Sequence, residues 1–241
     1  MPDKIFADPR LVSIYDDMDG ERLDLDHYLA LIKELKAKTV LDVGCGTGCL
    51  AVKLAQQGFQ VTGIEPASAS LEFARRKPNA DQVRWILGDA ISLPPMTVDL
   101  AIMTGNVAQV FLTDQSWLET IQAIRRVLRP GGHLIFEVRD PEQKAWLDWT
   151  REKTKTCVAI PGIGKVEAWC EVNKVSGEFV SFTWTYVFAS DGQIIQSDST
   201  LRFRSQGAIL ESLEKSGFIV NEIRDAPDRH GKEFVFIAVS P

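Results

Sequence analysis

The sequence predicts an α/β fold built on a parallel sheet, with a second, antiparallel sheet inserted toward the C-terminal end. Three observations carry that prediction. Residues 39–43 are β-branched and apolar apart from Asp42, the composition of a strand buried on both faces. That strand runs into a turn with glycines at 44, 46 and 48, followed by a helical stretch over 49–55 that Gly58 stops. Beyond residue 142 the strand–helix alternation ends. From about 154 to 204 alternating segments are separated by Pro161-Gly162, Ser176-Gly177 and Asp191-Gly192, which reads as an inserted sheet of about four strands.

The glycine spacing selects among nucleotide sites. A dinucleotide fingerprint needs glycine at its first, third and sixth positions, and the sixth position here is Cys49. A phosphate-binding P-loop ends in Gly-Lys-Ser/Thr, whereas Gly48 is followed by Cys49-Leu50. Neither phosphate motif fits. The stretch Val40-Leu41-Asp42-Val43-Gly44-Cys45-Gly46-Thr47-Gly48 resembles motif I of the class I S-adenosylmethionine-dependent methyltransferases. The resemblance implies a Rossmann-like, seven-stranded sheet with helices on both faces, and S-adenosyl-L-methionine as cofactor, with S-adenosyl-L-homocysteine as product and no metal. Asp42, Gly44, Cys45, Gly46 and Gly48 then belong to the cofactor turn.

The remaining elements follow in order. A helix is expected from Asp24 to near Lys38, with Tyr28, Ile32 and Leu35 on one face. Residues 59–64 form a second strand ending at Glu65-Pro66, and Glu65 lies 21 residues after Gly44, where a ribose-binding acid belongs. Its two oxygens can accept from both vicinal hydroxyls. A helix over 68–77 leads to a third strand, 83–87, then Gly88-Asp89-Ala90. By resemblance, Asp89 accepts from the adenine amino group and Ala90 offers its amide to the ring. The fourth strand, 98–103, ends at Thr104-Gly105-Asn106, a loop that faces the methyl donor if ligands bind beyond the strands' carboxyl ends. It lacks the N-P-P-Y of base-methylating enzymes.

Thr113 caps a helix that Pro130 stops, and Gly131-Gly132 leads to a fifth strand opened by His133. Arg139, at that strand's far end, is a substrate candidate. A helix with Trp146 and Trp149 is expected over 142–152. After the inserted sheet, Ser205 caps a helix ended by Gly217. Two final strands, 218–224 and 234–239, flank His230, the second substrate candidate.

Three units result: an N-terminal helical cap over 1–38, a cofactor-binding domain over 39–141 and 205–241, and the inserted sheet over 142–204 as a substrate lid. The N-terminal Tyr15-Asp16 and the run from Asp24 to Leu31 also resemble the opening of an uncharacterised bacterial group of small-molecule methyltransferases with the same insertion. The reaction implied is in-line methyl transfer to an N, O or C nucleophile of a small acceptor. The catalytic candidates are Tyr15, whose phenol can orient cofactor and acceptor from an N-terminal segment folded over the methyl donor, and Asn106, by its position after the fourth strand.

Composition narrows the partners. The net charge of −6 opposes a broad phosphate-binding surface, and so opposes nucleic acid as substrate. An RNA methyltransferase and a non-catalytic cofactor-binding protein stay open as alternatives. No apolar run is long enough to span a bilayer and Met1-Pro2-Asp3-Lys4 opens no leader, so a cytoplasmic protein is expected. Four cysteines and three histidines, scattered and without C-x-x-C, imply no metal site.

Overall fold

The computed structural model describes residues 2–241. Three helices come first: α1 (Lys4–Ala7), α2 (Pro9–Asp19) and α3 (Asp24–Glu34). Then β1 (Thr39–Val43), α4 (Cys49–Gln56), β2 (Gln60–Glu65), α5 (Ser68–Ala74), β3 (Val83–Leu87), β4 (Val98–Met103), α6 (Asp114–Val127) and β5 (Leu128–Arg139) alternate. The short α7 (Arg151–Thr154) leads into β6 (Thr156–Ile160), β7 (Gly164–Ser176), β8 (Phe179–Phe188) and β9 (Ile194–Arg202). The chain closes with α8 (Gln206–Lys215), β10 (Ile219–Asp225) and β11 (Glu233–Ser240).

The first sheet has seven strands in the order β3-β2-β1-β4-β5-β11-β10, with β11 antiparallel between β5 and β10. The second is a four-stranded antiparallel meander, β6-β7-β8-β9. This is the Rossmann-like architecture with an inserted sheet that the sequence predicts. Central strands are apolar on both faces because both are covered. Leu41, Ala101 and Met103 pack with α6 and α8, while Val40, Leu100 and Ile102 pack with α3 and α4. A third cluster joins the inserted sheet to the N-terminal helices through Leu11, Ile14, Tyr186 and Phe188. It holds α1 and α2 above the carboxyl ends of the parallel strands.

Three local expectations fail. The stretch 142–152 is not one helix. Lys144 takes a left-handed conformation (φ 46°) between the short turns Pro141–Gln143 and Ala145–Asp148, and Thr150 starts α7 afresh by accepting from Lys153 N–H. Tertiary partners override the helical period: Trp146 packs edge-on against Phe203, and Trp149 against Phe182, each with ring centroids 4.7 Å apart. The fifth strand begins at Leu128 rather than His133. Val98 pairs with Leu128 and Leu100 with His133, so the chain bulges between them. Gly132 permits this, since a Cβ there would lie 2.8 Å from the Arg129 carbonyl oxygen. Helix α5 stops at Ala74, short of Lys77. No helix among the described residues is long and apolar enough to cross a membrane.

Candidate functional site

A cavity of about 820 Å³ opens beyond the carboxyl ends of β1, β2 and β4. Its floor is the turn after β1. Gly44, Cys45, Gly46 and Thr47 line it, and the N–H groups of Gly44 and Cys45 are tied to the Ile64 carbonyl at 2.9 and 3.1 Å. A Cβ on Gly46 would meet no atom within 4 Å, so this glycine leaves ligand space open. Gly48 serves another purpose. It does not line the cavity; a Cβ there would stand 2.6 Å from the Trp85 ring, so Gly48 lets α4 pack on β3 and α5.

Glu65 ends β2 at the cavity and is only 6% exposed. Its Oε2 accepts from Gly46 N–H at 2.9 Å and its Oε1 from Ala67 N–H at 2.8 Å. Each oxygen keeps a lone pair for a ligand hydroxyl. Asp42, 2% exposed, also reaches the cavity. Burial, then the neighbouring Glu65 charge, push its carboxyl up to about 7. Burial also raises Glu65, despite its two amide bonds. Pro66, Asp89, Ala90, Thr104 and Gly105 complete this half. Asp89 caps the turn Ala90–Ser92 through Oδ1, which accepts from Ser92 N–H at 3.0 Å.

The opposite half is built by segments distant in sequence. Phe6 and Tyr15 come from α1 and α2, Phe111 and Leu112 from the β4–α6 connection, and Ser199 and Thr200 from β9. Tyr15 packs against Phe6 with centroids 5.7 Å apart, and burial raises its phenol, which stays neutral at ordinary pH. Arg22 is the only lysine or arginine lining the cavity among the described residues; Asp24 and Asp19 hold its guanidinium at 2.7 and 3.1 Å. Five carboxylates line the same space: Asp3, Asp42, Glu65, Asp89 and Asp198.

Besides Gly48, which was expected in the cofactor turn, three sequence candidates lie elsewhere. Asn106, 3% exposed, does not line the cavity: its left-handed backbone (φ 62°) turns the side chain beneath the loop, where Nδ2 points to Glu233 Oε1 at 3.5 Å. Arg139 is also turned inward, beside Gln109 and Glu233, with its guanidinium 5.4 Å from the Trp149 ring centroid. His230 has a 91% exposed side chain that meets Asp225, well apart from the cavity lining. Position after a strand set these expectations, and the direction of each side chain decides against them. Conversely, Arg22, Thr47 and the β9 residues line the cavity without having been expected there. Only Thr47 carried a signal, as part of the glycine motif. Among the described residues, no group of three or more His, Cys, Asp or Glu side chains converges as a metal site.

The donor set fits S-adenosylmethionine: a carboxylate pair for ribose hydroxyls, an arginine for the amino-acid carboxylate, and an acidic surround for a sulfonium and an ammonium. It does not fit a polyphosphate, whose several negative charges would face five carboxylates and a single arginine.

Comparison with known proteins agrees. Residues 40–132 match the family model of a methyltransferase domain. The chain is 31% identical over 102 residues to a putative methyltransferase of Bacillus subtilis, covering 41% of each. It is 30% identical over 130 residues to a ubiquinone biosynthesis O-methyltransferase of Serratia proteamaculans, covering 52% of each. The chain thus spans about half the length of the curated relatives it matches. In fold it resembles the CcbJ methyltransferase of Streptomyces caelestis, with TM-score 0.77 at 18% identity over 98% of this chain and 96% of that one. It also resembles CalS10, an amino pentose methyltransferase from Micromonospora echinaspora, with TM-score 0.74 at 22% identity over 95% of each. Strand order and glycine turn agree with this match of residues 40–132 to a methyltransferase domain, and over the whole chain the likeness to solved methyltransferases is one of fold.

Proposed function

We propose that the protein transfers a methyl group from S-adenosylmethionine to a small-molecule acceptor. The observation that carries this reading is a single cavity joining the Gly46–Glu65 end to a wall made by the inserted sheet and the N-terminal helices. One end suits the methyl donor and the other leaves room for an acceptor. S-adenosylmethionine supplies, when bound, a methyl group on a positively charged sulfur. The protein's residues align and enclose the reactants. Glu65 takes the ribose hydroxyls, Asp89 and the Ala90 amide take the adenine, and Arg22 takes the amino-acid carboxylate. Gly44–Gly46 and Thr104–Gly105 bring backbone close to the ligand. In-line attack by the acceptor's N, O or C nucleophile on that methyl, with its bond to sulfur breaking and S-adenosylhomocysteine leaving, would take place in a space that α1, α2 and β9 shield from water.

Tyr15 acts here as a hydrogen-bond donor that orients the reactants, since its phenol keeps its proton. The acceptor end holds Asp3 and Asp198, the Ser199 and Thr200 hydroxyls and the Phe111 ring, and no lysine or arginine. A neutral or cationic acceptor is favoured there over an anionic one, which would meet two carboxylates without a counter-charge. Residues 1–38 serve as a cap and 142–204 as the substrate lid.

Calorimetric titration with S-adenosylmethionine, S-adenosylhomocysteine and NAD tests the first half of the reading. Binding of the first two and not of NAD is expected. Labelled methyl transfer to a panel of amines, alcohols and carboxylates tests the second, with carboxylates expected to fail.

A further inference from the structure

Beneath the loop between β4 and α6 lies a polar cluster to which the proposed reaction assigns nothing. Glu137 on β5 accepts at Oε1 from Gly105 N–H at 2.6 Å and Asn106 N–H at 3.0 Å. The Asn106 side chain reaches Glu233 on β11. Glu233, 4% exposed, also meets Arg229 at 2.6 Å and Arg139 at 3.5 Å. Glu233 pairs with Arg139 across the two strands, and Glu137 stands two residues before Arg139, so all three share one face of the sheet. Asn106 is therefore held between two buried carboxylates, and Gly105 beside it lines the cavity.

Two buried acceptors in this cluster have no donor: Glu137 Oε2 and Asn106 Oδ1. An unmade bond of this kind costs about 1–3 kcal/mol, so native structures rarely leave two together. One proton on Glu137 Oε2 turns the first orphan into a donor and gives the second a partner type it lacks. The charges agree. The two guanidiniums, Arg139 and Arg229, are matched by Glu233 and by Asp228, which lies 3.6 Å from Arg229. An ionised Glu137 is the surplus charge.

We propose that Glu137 carries a proton on Oε2 in the competent protein, and that this neutral acid beside the Glu233 carboxylate is the positioning device that holds Thr104–Asn106 against the cavity. Glu137 is a positioning residue, acting through the Gly105 and Asn106 amides. The inference rests on the reading that this cavity holds S-adenosylmethionine. Burial first, and the Glu233 charge second, push the Glu137 carboxyl up to about 7, against the pull of its two amide bonds and Arg229. The proton is therefore present at mildly acid pH and lost as pH rises through neutrality. The ionised form accepts the two amides more strongly but repels the buried Glu233 carboxylate, and because that repulsion outweighs the two amide bonds the loop slackens.

The test uses the full chain and S-adenosylhomocysteine as the probe, by calorimetry from about pH 6 to 8.5, with amide exchange read over residues 103–107. Glu137→Gln copies the protonated acid, since its amide oxygen accepts and its amide nitrogen donates. Wild-type affinity is expected to fall roughly fivefold or more across this range. Glu137→Gln should show a shallower fall and slower loop exchange than wild type at the alkaline end. The Asp42 carboxyl, also near neutrality, contributes to both proteins alike, so the difference belongs to Glu137. Glu233→Gln removes the raising charge and should shift the wild-type break to lower pH, which decides the question if Glu137→Gln does not fold. An unchanged pH slope in Glu137→Gln, or faster loop exchange than wild type at pH 6, overturns the proposal. If wild type binds no S-adenosylhomocysteine at any pH, the cofactor reading falls, while the exchange comparison still decides where the proton sits.

Discussion

Oε2 of Glu65 accepts the backbone N–H of Gly46 at 2.9 Å. One carboxylate thus ties the end of β2 to the glycine turn and still faces the cavity. It shapes the site and presents acceptors to a ligand at once. Glu65→Ala removes both contributions. Charge-assisted hydrogen bonds are worth about 1.5–3 kcal/mol each, so affinity for S-adenosylhomocysteine should fall by roughly one to two orders of magnitude. Titration of the variant at wild-type strength would end the ribose assignment.

Gly46 and Gly48 separate binding from folding. Both have positive φ, at 53° and 79°. A methyl group on Gly46 enters open cavity, whereas one on Gly48 lies 2.6 Å from Trp85 and 3.0 Å from Ala74. Gly46→Ala should fold with a loss of about 1 kcal/mol from backbone strain and should bind cofactor poorly. Gly48→Ala should lose about 2 kcal/mol or more, with strain and overpacking together. Urea denaturation beside calorimetry distinguishes the two, and equal effects on stability would refute the division.

Asp42 makes stability depend on pH. Its carboxyl rises from 3.8 in the open chain to about 7 in the fold, so the native state binds this proton more tightly than the unfolded chain does. The favourable contribution is complete below about pH 4 and is lost as pH rises through 7. Asp42→Asn abolishes that loss. The variant should be roughly 2–4 kcal/mol more stable than expected from wild type at pH 8, and show no such gain at pH 4. Denaturant midpoints at the two pH values provide the measurement, and a gain of equal size at both contradicts the assignment.

Asp16 on α2 gathers donors from three elements. Thr47 Oγ1 in the glycine turn lies at 2.6 Å, the Cys49 thiol at the start of α4 at 3.3 Å, and Lys77 Nζ beyond α5 at 2.5 Å. This carboxylate anchors the helix that carries Tyr15 over the cavity. Asp16→Ala should leave the main sheet intact and make residues 9–19 more sensitive to limited proteolysis. Unchanged cleavage would assign the anchoring of α2 to its apolar contacts alone.

The Glu65 half of the cavity was legible in the sequence because its residues are local to strand ends. Asp42 and Glu65 lie at the carboxyl ends of β1 and β2, Gly46 and Asp89 a short turn beyond β1 and β3, and a strand's carboxyl end has a fixed place in a parallel sheet. The broken stretch 142–152 was not legible. Trp146 and Trp149 keep a helical spacing in sequence, yet their positions answer to Phe203 and Phe182, which are more than thirty residues away by number.

By itself the sequence determined the strand order's alternating half, the glycine turn and the acids that face it, since hydrophobic period and backbone conformation are local properties. The tertiary structure decided which way side chains turn. It sent Asn106 and Arg139 inward to Glu233 instead of to the cavity. It also brought α1, α2 and β9 over the glycine turn to make the opposite wall of the cavity. Those choices depend on packing and charge pairing between segments more than ninety residues apart, and one-dimensional spacing holds no record of them.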